Sequence, residues 1–361
     1  MKIMLTGAAG FIGMHTTQKL LARGDEVLGV DSLNTYYDPA LKQDRLAQLT
    51  KSSNFRFAHV DLSDAVQTQA LFDQFKPQRV IHLAAQPGVR YSLMAQGIPQ
   101  RVIHLAAQPG VRYSLSHPQT CLQNNIMAFG NVLEACRQHA VEHLVFASSS
   151  SVYGSNTKMP YAPSDPVDHP LSLYAASKKA NELMAHTYSH VYGLPVTGLR
   201  YFTVYGPWGR PDMAPWLFTR AILNGEPIKV FNHGHMTRDF TFVDDIAEGS
   251  VRALDSVATA CATYSKDSPL PDTSHAPYRI HNIGHQTPVP LMDFIHTLES
   301  ALGVKAVLNY LPMQAGDVPN TSADMTSLQQ LTGYQATTAI KVGLTQWANW
   351  YREIGHRYQA F

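Results

Sequence analysis

The segment Tyr174-Ala175-Ala176-Ser177-Lys178 spaces a phenol and an ammonium four residues apart, which puts both on one face of a helix. A neighbouring cation favours phenolate over phenol and draws a tyrosine down from its free pKa of about 10, which makes it a base. Upstream runs Ser148-Ser149-Ser150-Ser151-Val152-Tyr153-Gly154, whose hydroxyls can bond the same oxygen that the base deprotonates. Such a group can take the proton of an alcohol while a hydride leaves the same carbon. Surface helices carry Tyr-x-x-x-Lys often, so the spacing gains meaning only if the chain also holds a hydride acceptor.

The N-terminus supplies a place for one. Lys2 to Thr6 is a short β-prone run, Gly7-Ala8-Ala9-Gly10-Phe11-Ile12-Gly13 follows, and a helical pattern then passes through Thr17, Leu20 and Leu21 to Gly24. Glycines permit a tight turn and a close approach of backbone to a pyrophosphate at the positive end of the helix. The spacing is Gly-x-x-Gly-x-x-Gly, a loose match to the general dinucleotide fingerprint. Glu26 to Val30 reads as the second strand, and Asp31 closes it where a carboxylate would accept ribose hydroxyls and repel a 2′-phosphate, favouring NAD over NADP.

The elements that must position these groups alternate. Phe55 to Val60, Val80 to Ala84, Leu144 to Ala147 and Val196 to Arg200 read as strands, and Asp64 to Phe75, Asn124 to Arg137 and Leu173 to Tyr192 as helices. That alternation specifies an α/β fold, a Rossmann-type doubly wound parallel sheet whose ligands bind beyond the C-terminal strand ends. Residues 1–205 are expected to form this NAD-binding domain. Proline becomes frequent from Gly206, so residues 206–361 are expected to be mainly a smaller α/β substrate-binding domain, with 240–258 returning to the first. Thr259 to Pro277 reads as a surface loop.

A chain of 361 residues with net charge +1 and no basic run favours neither nucleic acid nor an anionic membrane. Three cysteines without metal spacing argue for reduced thiols in a cytoplasmic protein, and seventeen scattered histidines do not make a metal site, so no metal is expected. The chain enters a strand within two residues, which leaves no room for a signal peptide, and no apolar run reaches the roughly 20 residues that span a bilayer.

One segment breaks the order. Residues 77–93 and 99–115 are the same seventeen residues, PQRVIHLAAQPGVRYSL, offset by 22. A recent tandem duplication or an error in the recorded sequence would produce this, and only one copy can fill the single strand slot. We expect the second copy to fill it, running on into its own helix and leaving the surplus on the edge away from the chemistry.

The N-terminal glycines, Asp31, Asp61-Leu62, His-Leu-Ala-Ala, the serine run and Tyr174-x-x-x-Lys178 together resemble the extended short-chain dehydrogenase/reductase family of nucleotide-sugar enzymes, from about Lys2 to Tyr351. Within it, Val30 to Asp38, the Gly-Val-Arg-Tyr-Ser of either copy, Arg200 to Ala214 and Arg238 to Asp245 resemble the 4-epimerases of UDP-glucuronate. The resemblance implies that Ser149, Tyr174 and Lys178 are catalytic. It implies that Gly7, Gly10, Phe11, Ile12, Gly13, Asp31, Asp61 and Leu62 contact NAD together with Tyr174, Lys178 and one His-Leu-Ala-Ala, for which the second copy gives Leu105, Ala106 and Ala107. It implies a homodimer.

A uronate carboxylate needs donors, and an arginine holds one in a fork. Arg210 is the candidate, with Ser150, Ser151 and Thr203 as neutral donors and Arg238 on the diphosphate. Sister dehydratases and decarboxylases carry acids just after the catalytic Ser/Thr; Ser150 and Ser151 stand there instead, which favours epimerisation. The expected activity is 4-epimerisation of UDP-glucuronate to UDP-galacturonate through a transient 4-keto sugar. A neutral UDP-sugar (UDP-glucose or UDP-N-acetylglucosamine), or an NAD-holding protein silenced by the repeat, stay open at this point.

Overall fold

The computed structural model describes residues 1–84, 118–313 and 318–358. The first half alternates as its sequence pattern requires: β1 (Lys2–Thr6), α1 (Phe11–Ala22), β2 (Glu26–Asp31), α2 (Pro39–Leu49), β3 (Phe55–His59), α3 (Ala65–Phe75) and β4 (Arg79–His82). The helix starts carry their own signals. Asp38 caps α2 by accepting from Ala40 N at 2.9 Å with Pro39 in the first turn, and Asp64 caps α3 by accepting from Gln67 N at 3.0 Å.

Beyond the undescribed stretch come α4 (Ala128–Gln138), β5 (His143–Ser149), α5 (Leu173–Tyr192) and β6 (Val196–Tyr201). A short helix Pro118–Leu122 and a π-helical turn Gln123–Met127 precede α4, so helical structure begins six residues before the expected Asn124. The second half adds β7 (Thr203–Tyr205), α6 (Ala214–Leu223), β8 (Pro227–Val230), β9 (Thr237–Phe242), α7 (Val243–Asp255), β10 (Tyr278–Ile283), β11 (Pro288–Pro290), α8 (Leu291–Leu302), β12 (Val307–Tyr310), a helix Thr326–Thr332 and α9 (Ile340–Glu353).

Seven strands form one parallel sheet in the order β10-β6-β5-β4-β1-β2-β3. The order reverses at β1, which pairs with both β2 and β4, and a crevice opens there beyond the strand ends. Both faces are covered. Ile3, Leu5, Val27, Ile81 and Val145 pack on one side with Phe11 and Met14 of α1 and Val243, Ile246 and Leu254 of α7. Met4, Leu28, Val80 and Leu144 face the other with Phe72 of α3, Phe129 and Val132 of α4 and Ala185 of α5. Strand residues pointing alternately to two apolar layers explain the nearly continuous hydrophobic runs in the sequence.

Between residues 206 and 361 the chain folds around Trp216, Phe240, Phe294, Leu344 and Trp347, with a three-stranded sheet β11-β9-β7 and a β12-β8 pair. It returns to the large sheet twice. Helix α7 packs against α1, and β10 adds an edge strand beside β6 that the sequence pattern did not announce. Thr259 to Pro277 is largely irregular, as expected.

The strand slot goes to the first copy of the repeat, not the second. Arg79–His82 pairs with β1 from Ile3 to Thr6 and with β5 from His143 to Phe146. Both copies contain Arg-Val-Ile-His, so side-chain packing cannot choose between them; the connection can. Only Lys76 to Gln78 link α3 to β4, Lys76 closes the helix in the left-handed region, and Gln78 is tied to Lys2 through Gln78 N to Lys2 O and Lys2 N to Gln78 Oε1, each 2.9 Å. Glu142 N completes the clamp on Gln78 O at 2.9 Å. The chain enters the slot at its first opportunity, so the surplus residues follow β4 in sequence rather than preceding it. Leu105, Ala106 and Ala107 lie outside the described residues.

Candidate active site

One cleft of about 360 Å³ opens at the C-terminal ends of β1, β2, β4, β5 and β6. Gly7, Gly10, Phe11, Ile12, Gly13, Asp31 and Leu62 line its first half, and Leu83 and Ala84 its floor. Ser149, Ser150, Ser151, Tyr174, Lys178, Thr203 and Arg210 line the rest.

The glycine turn is shaped by backbone contact. Gly7 stands at φ +78°, and a Cβ there would come within 2.9 Å of Ala84 N and Leu83 C; at Gly13 it would lie 1.9 Å from Gly7 O. Glycine is therefore needed at both positions to fold the turn back on itself and bring the start of α1 to the cleft. Gly10 caps that helix without a side-chain bond, so the first amides keep their positive end for an anion. Asp31 is fixed at the end of β2, accepting from Ala9 N at 3.1 Å and Leu33 N at 2.9 Å. Glycine cradle, open helix terminus and fixed carboxylate fit a dinucleotide.

Helix α5 supplies the polar wall. Ser172 caps it by accepting from Ala175 N at 3.1 Å, and Gly193 ends it in the left-handed region. Its buried face carries Ser177, Lys178, Asn181 and Glu182, an uncommon stripe for a helix interior. Lys178 donates to Ala147 O at 2.9 Å, and burial pushes its ammonium down to about 8. The phenol of Tyr174 meets the hydroxyl of Ser149.

The expected lowering of the tyrosine by the lysine is not what the geometry gives. Burial raises the Tyr174 phenol; the bond to Ser149 and the charge of Arg210 oppose that rise, and Lys178 spends its bond on the β5 carbonyl. A dry wall penalises both charged forms at once. A positive charge brought beside the phenol would favour its phenolate.

Beneath the serines, Ser148 donates to Glu182 Oε1 at 2.6 Å, and Glu182 pairs with fully buried Arg200 through bonds of 2.9 and 3.0 Å. Ser149 in turn accepts from Ser151 N at 3.2 Å, which fixes the turn Ser150–Tyr153 after β5. Arg210 lines the cleft with its guanidinium forked on Asp212 at 3.0 and 2.9 Å, so its planar edge is held in place.

Two expected residues stand apart. The carboxylate of Asp61 accepts from Ser63 N at 2.9 Å and is not part of the cleft lining, although Val60 and Leu62 on either side are. Arg238, on β9, donates to Thr237 O and Pro319 O at 2.9 Å each and does not line the cleft. Conversely, the cleft includes Tyr37 and Lys42, and Lys42 donates to Asn34 O at 2.8 Å with burial pushing it down to about 8. Lys42 and Arg45 occupy inward positions of α2 beside Leu41, Leu46 and Leu49, a cation placement that helical periodicity assigns to solvent.

Among the described residues, no group of three or more His, Cys, Asp or Glu side chains could hold a metal ion, and no helix is long and apolar enough to cross a membrane. All three cysteines are free.

Residues 92–264 match the family profile described as NAD dependent epimerase/dehydratase family, and residues 4–97 match GDP-mannose 4,6 dehydratase. The two matches overlap at residues 92–97, across the end of the first repeat copy. A probable UDP-glucuronate 4-epimerase of Rhizobium meliloti is 42% identical over 353 residues, 97% of each chain. UDP-glucuronate 4-epimerase 3 of Arabidopsis thaliana is 44% identical over 354 residues, 97% of this chain and 76% of that one. The crystal structure of UDP-glucuronic acid 4-epimerase from Bacillus cereus with UDP-glucuronic acid and NAD superposes with a TM-score of 0.81 at 31% identity, covering 98% of this chain and 100% of that one.

Proposed function

The chain belongs to the NAD-dependent epimerase/dehydratase family, and we infer that it interconverts UDP-glucuronate and UDP-galacturonate by epimerising C4 through a 4-keto sugar. The observation that carries this reading is a single cleft holding both the dinucleotide cradle and Ser149, Tyr174 and Lys178, with Arg210 and three hydroxyl residues along the same wall. Likeness over nearly the full chain to 4-epimerases of UDP-glucuronate supports the uronate.

Gly7, Gly10, Gly13, Asp31, Leu62, Leu83 and Ala84 would hold NAD. Bound there, NAD would supply a hydride acceptor and a positively charged ring, a charge of the sign that favours phenolate. Tyr174 takes the 4-hydroxyl proton while Ser149 donates to the same oxygen, and Lys178 keeps its remaining donors for the cleft. After the sugar turns over so that C4 presents its other face, Tyr174 returns the proton to the 4-oxygen. The 4-keto uronate is a β-keto acid prone to lose carbon dioxide. Arg210 and Thr203, with Ser150 and Ser151, would hold its carboxylate still, and no acid stands after Ser149 to assist elimination.

The proposal includes residues 206 onward as the main substrate-binding part, a cytoplasmic location, and a homodimer, for which the exposed apolar Leu183, Val191 and Tyr192 on α5 give support. The deciding experiment incubates the purified protein with UDP-glucuronate and follows UDP-galacturonate. Conversion without added reductant is expected; retained NAD with no conversion would support a silent protein. Arg210→Ala is expected to lose at least tenfold in kcat/KM on UDP-glucuronate, about 1.4 kcal/mol or more. Full activity of that variant would turn the reading toward a neutral UDP-sugar.

A further inference from the structure

Arg45 is a fully buried cation that no carboxylate pairs with among the described residues, and such a charge is costly inside a protein unless its donors are all used. They are used on backbone from two distant stretches of chain. One side of the guanidinium donates to Ala9 O at 3.1 Å, inside the glycine turn, and to the phenol of Tyr37. The other donates to Trp208 O at 3.1 and 2.6 Å and to Gly209 O at 3.1 Å, next to Arg210. Arg45 itself does not line the cleft.

The loop it grips is held against its preference. Trp208 has φ +63°, a left-handed conformation that costs a bulky residue about 1–2 kcal/mol. Gly209 is so closely packed that a Cβ there would lie 3.0 Å from both Gly206 O and the Trp347 ring. A strained loop needs outside bonds to stay put, and Arg45 provides three of them.

We propose that Arg45 is a positioning residue that ties the dinucleotide turn to the loop presenting Arg210, so that cofactor retention and grip on the sugar are coupled through it. The sugar half of this statement rests on the proposed function; the cofactor half does not. Ala9 also donates from its own N–H to Asp31 at 3.1 Å, so a shift of this residue disturbs both the glycine turn and the Asp31 carboxylate. Lysine cannot replace the fork, because a point ammonium cannot reach four backbone and phenol oxygens arranged on two sides.

The test compares Arg45→Lys and Arg45→Met with the parent for thermal unfolding, for NAD released from the purified protein on acid treatment, and for kcat and KM with NAD saturating. The same two variants are then made in an Arg210→Ala background. The expected result is NAD content below about half of the parent and KM raised about tenfold with kcat within about threefold, shrinking to under about twofold in KM once Arg210 is gone. An equal KM effect in both backgrounds, or unchanged NAD content, overturns the proposal. So does loss of the native unfolding transition in both variants, which would assign Arg45 to stability alone. A parent protein that does not epimerise UDP-glucuronate would instead sink the proposed function, and NAD content together with affinity for UDP would still read the tie.

Discussion

Tyr174 is the proposed base, yet burial raises the pKa of its phenol, and that tension defines the residue-scale predictions. Tyr174→Phe removes the group proposed to exchange the 4-hydroxyl proton. Turnover is expected to fall by about 10²–10⁴, while NAD content stays at the parent level, because the glycine cradle is untouched. Loss of NAD with turnover would mean the phenol chiefly holds cofactor. Deprotonation is the active state and burial opposes it, so kcat is expected to rise with pH above neutrality. Arg210 is one of the influences pulling the phenol down; Arg210→Ala should therefore move the rising limb to higher pH, and an unmoved limb would separate the two groups. Residue types and spacing were legible in the sequence here, since Tyr174, Lys178 and Ser149 do converge. The direction of the pKa was not, because it depends on how dry the wall is and on Lys178 bonding Ala147 O.

Helix and turn boundaries explain which elements could be anticipated. Helix α5 spans Leu173–Tyr192, the range its pattern gives, because Ser172 and Gly193 mark both ends chemically. The π-helical turn at Gln123–Met127 has no such marker, and the helical structure starting at Pro118 was missed. Helix α2 is harder to read: Lys42 and Arg45 look solvent-facing by type and are buried by contact. The glycine turn makes a prediction at this scale. In Gly13→Ala the new Cβ would fall 1.9 Å from Gly7 O, a backbone atom that cannot step aside alone, so α1 must shift off the cleft. Overpacking of this kind costs about 1–3 kcal/mol, and the variant is expected to melt lower and purify with little NAD. A variant with full NAD content would show that the turn tolerates the shift.

At the scale of the whole molecule, tertiary closure sets both acid stability and the fate of the repeat. His82, His143 and His281 are held neutral by burial, at about 3, 4 and 3, well below the ordinary value of 6.5. A group depressed in the fold binds more protons when unfolded, so stability is present above about 6.5 and is lost as pH falls toward 4, by up to about 1.4 kcal/mol per pH unit for each. Urea midpoints that stay flat from pH 7.5 to 5 would contradict this. The repeat poses the larger question, since β10 and α7 show that distant chain completes the sheet while the slot at β4 is filled by the nearest copy. That choice was not legible, because identical strands differ only in their connections. Deleting residues 85–106 joins Ala84 to Ala107 and restores one copy running on into Pro118, leaving β4 and its clamp on Gln78 in place. A shorter connection between β4 and Pro118 should raise stability, though loop length alone enters only logarithmically, about 0.6 kcal/mol per doubling. The shortened chain is therefore expected to fold, to hold NAD and to epimerise UDP-glucuronate at least as fast as the parent. If activity appears only after the deletion, the surplus copy silences the site; if the shortened chain loses NAD, the surplus residues belong to the cofactor's enclosure.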